Sequence, residues 1–258
     1  MSTDATEHEW FADEQFWIAS YPFMFPDSRF AAASIDVDQI LALVQKHDGA
    51  VLDLACGPGR YSIPLAERGF KVTGVDRSPF LLGHARARAV EHGVNVDWVE
   101  ADMRAFRRPA AFDLALSLFT SFGYFRDDAE NQHVLDNVAA SMRVGGALVV
   151  DVLGKEALAR IFNPTGSDEV ADALVIQRRR VKGDWERIEN EWILLRDGTT
   201  RKFVFEHWVY SARELKQMLT QAGFGDVRVY ANYRGDPYGP DATRLVAVGR
   251  KEDAGRNL

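Results

Sequence analysis

Cysteine is almost missing: Cys56 is the one thiol in 258 residues. That excludes a disulfide framework and any zinc site built on cysteine. Long apolar runs are missing too. No stretch approaches the roughly 18 uninterrupted apolar residues that mark a transmembrane helix. The opening MSTDATEHEW has neither a basic nor an apolar region of the signal-peptide kind. Basic charge is in the minority, 31 Lys and Arg against 38 Asp and Glu, for a net charge of −7. A nucleic-acid binder usually carries a basic domain or face. The only basic run, Arg178-Arg179-Arg180, reads as a solvated strand face with two of the three pointing one way. A cytoplasmic chain with no membrane, nucleic-acid or metal partner is therefore expected.

What is present is the composition of a folded globular protein, 47% hydrophobic and 27% charged. Segment 9–20 has Trp10, Phe11, Trp17 and Ile18 at helical spacing, with Pro22 expected to stop it. YPFMFPDSRF then reads as irregular. A second helix is expected from Asp36, with Gln39 as capping-box partner, a stripe of Val37, Ile40, Leu41 and Val44, and Gly49 as its end.

From residue 50 the rhythm changes to strand, loop, helix. AVLDLA, FKVTGVD, VDWVEAD, FDLALSLF and ALVVDVL read as five apolar strands separated by helical patterns at 60–68, 78–92 and 128–143. Such alternation implies a parallel sheet covered on both faces. Between 170 and 210 the pattern becomes three strand-like runs joined by Gly183-Asp184 and Asp197-Gly198, both hairpin-type turns. A helix at 211–222 and the strands DVRVYANY and TRLVAVGRK close the chain. The expected fold is α/β, a doubly wound Rossmann-like seven-stranded sheet. Residues 1–49 form an N-terminal helical cap on a 50–258 domain, and 155–210 is an antiparallel insertion that builds part of a substrate pocket.

The sharpest chemical signal follows the first strand, VLDLACGPGR (51–60). Small residues there let a ligand approach the backbone, and the next helix N-terminus favours an anionic group. In an open α/β sheet, ligands bind beyond the strand C-termini. Asp76 ends the second strand and Asp102 the third. A carboxylate at the first place can accept from both ribose hydroxyls of a nucleoside, and one at the second from an exocyclic adenine amine. Each also has an ordinary structural use, Asp76 beside the Ser78-Pro79 helix start and Asp102 in a turn. The three elements at successive strand ends favour the nucleoside. A dinucleotide site would continue as G-x-G-x-x-G, but the run is G-P-G-R-Y-S, with Ser62 at the third glycine's place.

These motifs, taken in order, resemble those of class I S-adenosylmethionine-dependent methyltransferases over nearly the whole chain. VLDLACGPGR resembles the glycine-rich first motif, with Ala55 at its usual first glycine. VTGVDRSPFLL, EADMRAF and LSLFTSFGYF resemble the following motifs, and RVGGALVVDV the approach to strand five. The resemblance implies S-adenosyl-L-methionine as cofactor and S-adenosyl-L-homocysteine as product. Asp53, Ala55, Cys56, Gly57, Pro58, Gly59 and Arg60 would hold the methionine part. Asp76, Arg77 and Ser78 would take the ribose, Asp102 and Met103 the adenine, and Leu118, Phe119 and Thr120 would line the reacting methyl.

Strand four ends Ser117-Leu118-Phe119-Thr120, so the family's Asn/Asp-Pro-Pro-Tyr motif of nucleic-acid amino methylation is absent. With the acidic charge, this points to a small-molecule acceptor methylated on nitrogen or oxygen, and to a monomer or homodimer. His207 is the first choice of base if it faces the cleft. Tyr124 stands close to the expected methyl position, and Tyr21, with Trp17 and Phe25, belongs to a possible lid. Tyr233 and Tyr238 are further lining candidates. Alternatives are a macromolecular methyltransferase, a non-catalytic cofactor-binding protein, and a nicotinamide-dependent oxidoreductase.

Overall fold

The computed structural model describes residues 9–170 and 173–253. A 3-10 turn (Trp10–Ala12) leads into α1 (Glu14–Met24), whose N-cap Asp13 accepts from the Gln15 amide. Pro22 lies inside α1 and does not end it. Proline removes one ladder hydrogen bond, but Pro22 sits near the helix end. The ladder resumes when Phe25 N donates to Tyr21 O at 2.8 Å. Helix α2 (Asp27–Val44) begins at Asp27, well before Asp36, and ends at Gln45 in the left-handed conformation, not at Gly49. Extended Pro26 takes its N-cap position and Asp27 suits the helix dipole. The segment read as irregular is thus almost wholly helical.

The alternating region follows as β1 (Ala50–Leu54), α3 (Ser62–Glu67), β2 (Lys71–Asp76), α4 (Pro79–Glu91), β3 (Asp97–Glu100), β4 (Phe112–Ser117), α5 (Asp128–Ser141) and β5 (Met142–Val152). Ser78 caps α4 through the Leu81 amide, with Pro79 as the first helical residue. Next come α6 (Lys155–Ile161), β6 (Thr165–Val170), β7 (Ala173–Lys182), β8 (Arg187–Arg196) and β9 (Thr199–Trp208). The chain closes with α7 (Ala212–Gln221), β10 (Phe224–Tyr230) and β11 (Leu245–Lys251).

Seven strands form one sheet in the order β10-β11-β5-β4-β1-β2-β3, with β11 alone running against the rest. The order reverses between β1 and β4, so a crevice opens there at the strand C-termini. One face is covered by α5 and α7 through Val134, Leu135, Leu215 and Leu219. The other is covered by α2 and α3 through Val37, Ile40, Val44 and Leu65. Helix α2 is therefore a layer of the α/β body, and of residues 9–49 it is α1 and its preceding turn that cover the cleft. Among the described residues, no helix is long and apolar enough to cross a membrane.

The insertion is a four-stranded antiparallel sheet, β6-β7-β8-β9, one strand more than expected. The unexpected strand, TGSDEV, is a polar edge strand with no apolar alternation to announce it. Asp197 and Gly198 both have positive φ, as a two-residue type I′ hairpin requires. Arg178 and Arg180 point outward and pair with Glu191 (2.9 Å) and Glu189 (3.5 Å), while Arg179 turns to the other face. The inner face meets α1: Phe16 lies 5.8 Å from Trp192 and 5.4 Å from both Phe203 and Phe205, between ring centroids.

Trp98 of β3 lies against two glycines. A Cβ on Gly74 would come 2.6 Å from its ring and 3.1 Å from Cys56 Sγ. Gly74→Ala is expected to cost about 1–3 kcal/mol through overpacking, read as a lower midpoint in denaturant unfolding.

Candidate active site

The crevice is built by three successive strand ends tied to one another. After β1 the chain turns through Ala55 (φ +56), Gly57 (φ +55) and Gly59 (φ +78). A side chain in this region costs roughly 1–2 kcal/mol, so Ala55 stores strain that the usual glycine would not. Gly57 N donates to Asp76 Oδ2 at 2.7 Å, Ser78 N to Asp76 Oδ1 at 2.9 Å, and Cys56 N to Val75 O at 3.0 Å. One carboxylate thereby joins the first two strand-to-helix turns, with the Arg77 amide as a further backbone donor. Asp53 is buried beneath the loop and accepts from Ser62 Oγ at 2.5 Å. Ser62, at the third-glycine position, orients a carboxylate where a dinucleotide site would need open backbone. Burial pushes Asp53 and Asp76 up to about 6, against the hydrogen bonds that favour their charged forms.

Asp102 is placed as expected at the third strand end, but its oxygens are already engaged. Oδ1 accepts from Arg104 N (2.8 Å) and Nε (3.0 Å), and Oδ2 from Arg104 Nη2 (2.6 Å) and Arg77 Nη1 (3.0 Å). Burial raises its pKa, but the bonds and charge from Arg104 outweigh that and hold it below the usual value. Glu9 binds both arginines, at 2.7 Å each, and so straps the start of the described chain to this corner. An amine donating to Asp102 displaces one of these arginine bonds.

The third corner is the loop after β4. Leu118 is buried, and the Phe119 ring lies 4.1 Å from the Arg60 guanidinium and 4.8 Å from that of Arg29. Burial, then the neighbouring Arg60 charge, lowers the Arg29 pKa. Phe119 and Thr120 both have positive φ, +59 and +61.

Together these parts line one cavity. Its wall includes Asp53, Ala55, Cys56, Gly57, Arg60, Asp76, Arg77, Asp102, Met103, Leu118 and Phe119. Pro58, Gly59, Ser78 and Thr120 stand outside that wall. Gly59 backs onto Trp98, Ser78 caps α4, and Thr120 Oγ1 turns away to Arg244. Sequence reasoning missed Phe11, Met24, Tyr61, Val75, Leu81, Ala101, Ser121 and Phe125, which also line the wall. Trp17 of α1 and Phe25 just after it cover the cleft.

The three residues expected near the acceptor separate. Tyr21 is outside the cavity: it stacks on His84 of α4, with ring centroids 4.2 Å apart, and α1 is further fixed there by Glu14, which accepts from Ser78 Oγ and Phe80 N. Tyr124 is in the wall, 4.7 Å from the Trp10 ring, and burial together with the Asp76 charge pushes its phenol well up. It stays protonated at neutral pH. His207 lies in a second, open cavity that shares Phe11, Tyr124 and Phe125 with the first. Its Nδ1 is 2.9 Å from Trp208 O, which can only accept, so Nδ1 carries the hydrogen and Nε2 the lone pair. Burial lowers its pKa and keeps the ring neutral. Tyr233 and Tyr238 lie in neither wall; they donate to Asp151 and Glu156. No group of three or more His, Cys, Asp or Glu suited to a metal occurs among the described residues.

A family model described as a methyltransferase domain matches residues 51–146. A putative methyltransferase of Geobacillus sp. (strain WCH70) is 25% identical, over 78% of this chain and 84% of its own. Two solved structures share the fold. The CcbJ methyltransferase from Streptomyces caelestis superposes with a TM-score of 0.77 at 21% identity, covering 95% of this chain and all of that one (100%). An S-adenosylmethionine-bound amino pentose methyltransferase from Micromonospora echinaspora gives 0.68 at 24% identity, over 92% and 97% of the two chains.

Hydroxyls that donate to Asp76 favour its ionised form and lower its pKa from about 6. Affinity for S-adenosylhomocysteine is therefore expected to rise as pH increases through about 6 and then level off, with proton release on binding below that pH. Calorimetry from acid to neutral pH in buffers of different ionisation enthalpy checks this. Asp76→Asn is expected to weaken binding at least tenfold and flatten the pH profile.

Proposed function

Since the chain is a class I S-adenosylmethionine-dependent methyltransferase, we propose that it methylates an amine nitrogen of a small molecule held in the open cavity beside the cofactor cleft. The observation that carries this reading is the shared wall of Phe11, Tyr124 and Phe125, with His207 on the open side. The open cavity is also lined by the aromatic rings of Trp10, Phe205 and Trp208. Its glutamates Glu9, Glu130, Glu189 and Glu206 are held in ion pairs with arginine or lysine. The aromatic rings favour an ammonium cation over an anion. An amino pentose is the acceptor named for one structural neighbour.

When bound, S-adenosylmethionine supplies a methyl carbon activated by the adjoining sulfonium charge. The residues present fit it. Asp76 faces the cavity as an acceptor for the ribose hydroxyls, Arg60 is a cation for the carboxylate end, and the close backbone at Gly57 leaves room for the chain between them. In-line displacement then asks the protein mainly to align the nucleophile and exclude water. Aromatic residues of α1 and the turn before it cap the cleft, and β9 of the insertion forms the far side of the acceptor cavity. His207 Nε2 takes a proton from the incoming ammonium, freeing the nitrogen lone pair. The protonated Tyr124 hydroxyl, between the cavities, orients the acceptor by hydrogen bonding.

Micromolar binding of S-adenosylmethionine without binding of NAD is the expected calorimetric result. In a radiolabel-transfer screen, amino sugars and other aliphatic amines are expected to accept methyl where the matching alcohols do not. Transfer to alcohols alone refutes the amine reading. His207→Ala is expected to lower kcat by about 10²–10⁴ with little change in cofactor affinity. Because burial lowers the His207 pKa, wild-type activity should persist to a lower pH than an ordinary histidine base allows.

A further inference from the structure

Two consecutive residues of the loop after β4, Phe119 and Thr120, hold left-handed backbone (φ +59 and +61). For a bulky or β-branched residue this is an outlier that persists only where surroundings over-determine it. Here a single buried group does so. Asp151, at the end of β5 and 1% exposed, accepts from Phe119 N through Oδ2 at 3.0 Å, and its backbone carbonyl accepts from Thr120 N at 2.9 Å. Arg244 forks onto the same carboxylate, with Nε 2.7 Å from Oδ1 and Nη2 2.9 Å from Oδ2. That Nη2 also reaches Thr120 Oγ1 at 2.9 Å. Tyr233 adds a hydroxyl donor to Oδ2 at 2.7 Å.

Neither Asp151 nor Arg244 lines the cavity. The turn they clamp does: Leu118, Phe119 and Ser121 are all in its wall, and Ser121 Oγ closes back onto Leu118 O at 2.8 Å. We propose that Asp151 and Arg244 are positioning residues for methyl transfer, an ion pair behind the cleft that holds the Phe119–Thr120 turn against the reacting end of the cofactor. The pair touches no reactant. It acts through the loop, whose backbone relaxes toward ordinary φ once the clamp is gone and withdraws the Phe119 ring from Arg60 and Arg29. The proposal rests on the cavity holding S-adenosylmethionine.

The test separates the two ends of the ligand. Replacing both charges together, Asp151→Asn with Arg244→Gln, leaves no buried charge unpaired. Adenosine, which occupies only the Asp76 and Asp102 corners, is expected to bind the double variant within twofold of the wild type. S-adenosylmethionine is expected to bind at least tenfold more weakly. Adding Thr120→Gly, a residue that adopts left-handed backbone freely, should return S-adenosylmethionine affinity to within threefold. Equal loss for both ligands, no loss for either, or no recovery with glycine overturns the proposal. If the double variant fails to fold, Arg244→Lys, too short to fork onto Asp151 and Thr120 together, must give the same split. Wild-type protein that binds adenosine but not S-adenosylmethionine refutes the cofactor reading instead.

Discussion

The Asp76 carboxylate is the constraint on which the cleft depends. Its two oxygens accept amides from both the first and the second strand-to-helix turn, so loops that differ in sequence are held at one spacing. Desolvation of the half-buried carboxylate raises its pKa to about 6 even though backbone amides of Gly57, Arg77 and Ser78 donate to it. Such an arrangement is costly for stability and useful for binding, because a ligand donating two hydroxyls compensates the charge. Asp53 repeats the logic one layer deeper, with Ser62 as its fixed donor.

Around that rigid corner the cleft is closed by elements foreign to the α/β rhythm. Helix α1 wedges its aromatic residues between the inner face of the antiparallel sheet and α4. Trp10 bridges the two sides: its ring meets Tyr124 and Phe205, and its indole N–H donates to Glu206 O at 3.2 Å. The cofactor cleft and the open cavity therefore meet at a wall made jointly by the N-terminal segment and the loop after β4. Chemistry at that boundary needs little beyond alignment, an acceptor lone pair and dryness. In the proposed reading the pair of Asp151 and Arg244 supplies alignment from behind, and the aromatic cover supplies dryness.

Much of the cleft's framework was legible because it depends on local rules. Glycines where the chain turns with positive φ, acids at the ends of apolar strands, and Ser78-Pro79 opening a helix each announce themselves within a few residues. The errors were also local rules, overruled. Pro22 reads as a stop, yet α1 runs on through Phe23, whose ring packs 5.2 Å from Trp192, to Met24. Polar TGSDEV gave no strand signal, yet pairing with β7 makes it one. Tyr21 was grouped with the acceptor by its aromatic neighbours, yet helical phase turns it onto His84.

Along the chain alone one can read the class of fold, the acids at successive strand ends and the exclusion of disulfide and cysteine–zinc chemistry. These follow from periodicity, backbone sterics and residue inventory, all readable along the chain. It took packing in three dimensions to set His207 on a cavity next to the cleft, Arg77 and Arg104 on Asp102, and Asp151 against Phe119 and Arg244. Those contacts join residues separated by 32 and 93 positions for Asp151 alone. Their geometry is set by how sheets and helices pack, and no local pattern in the sequence encodes it.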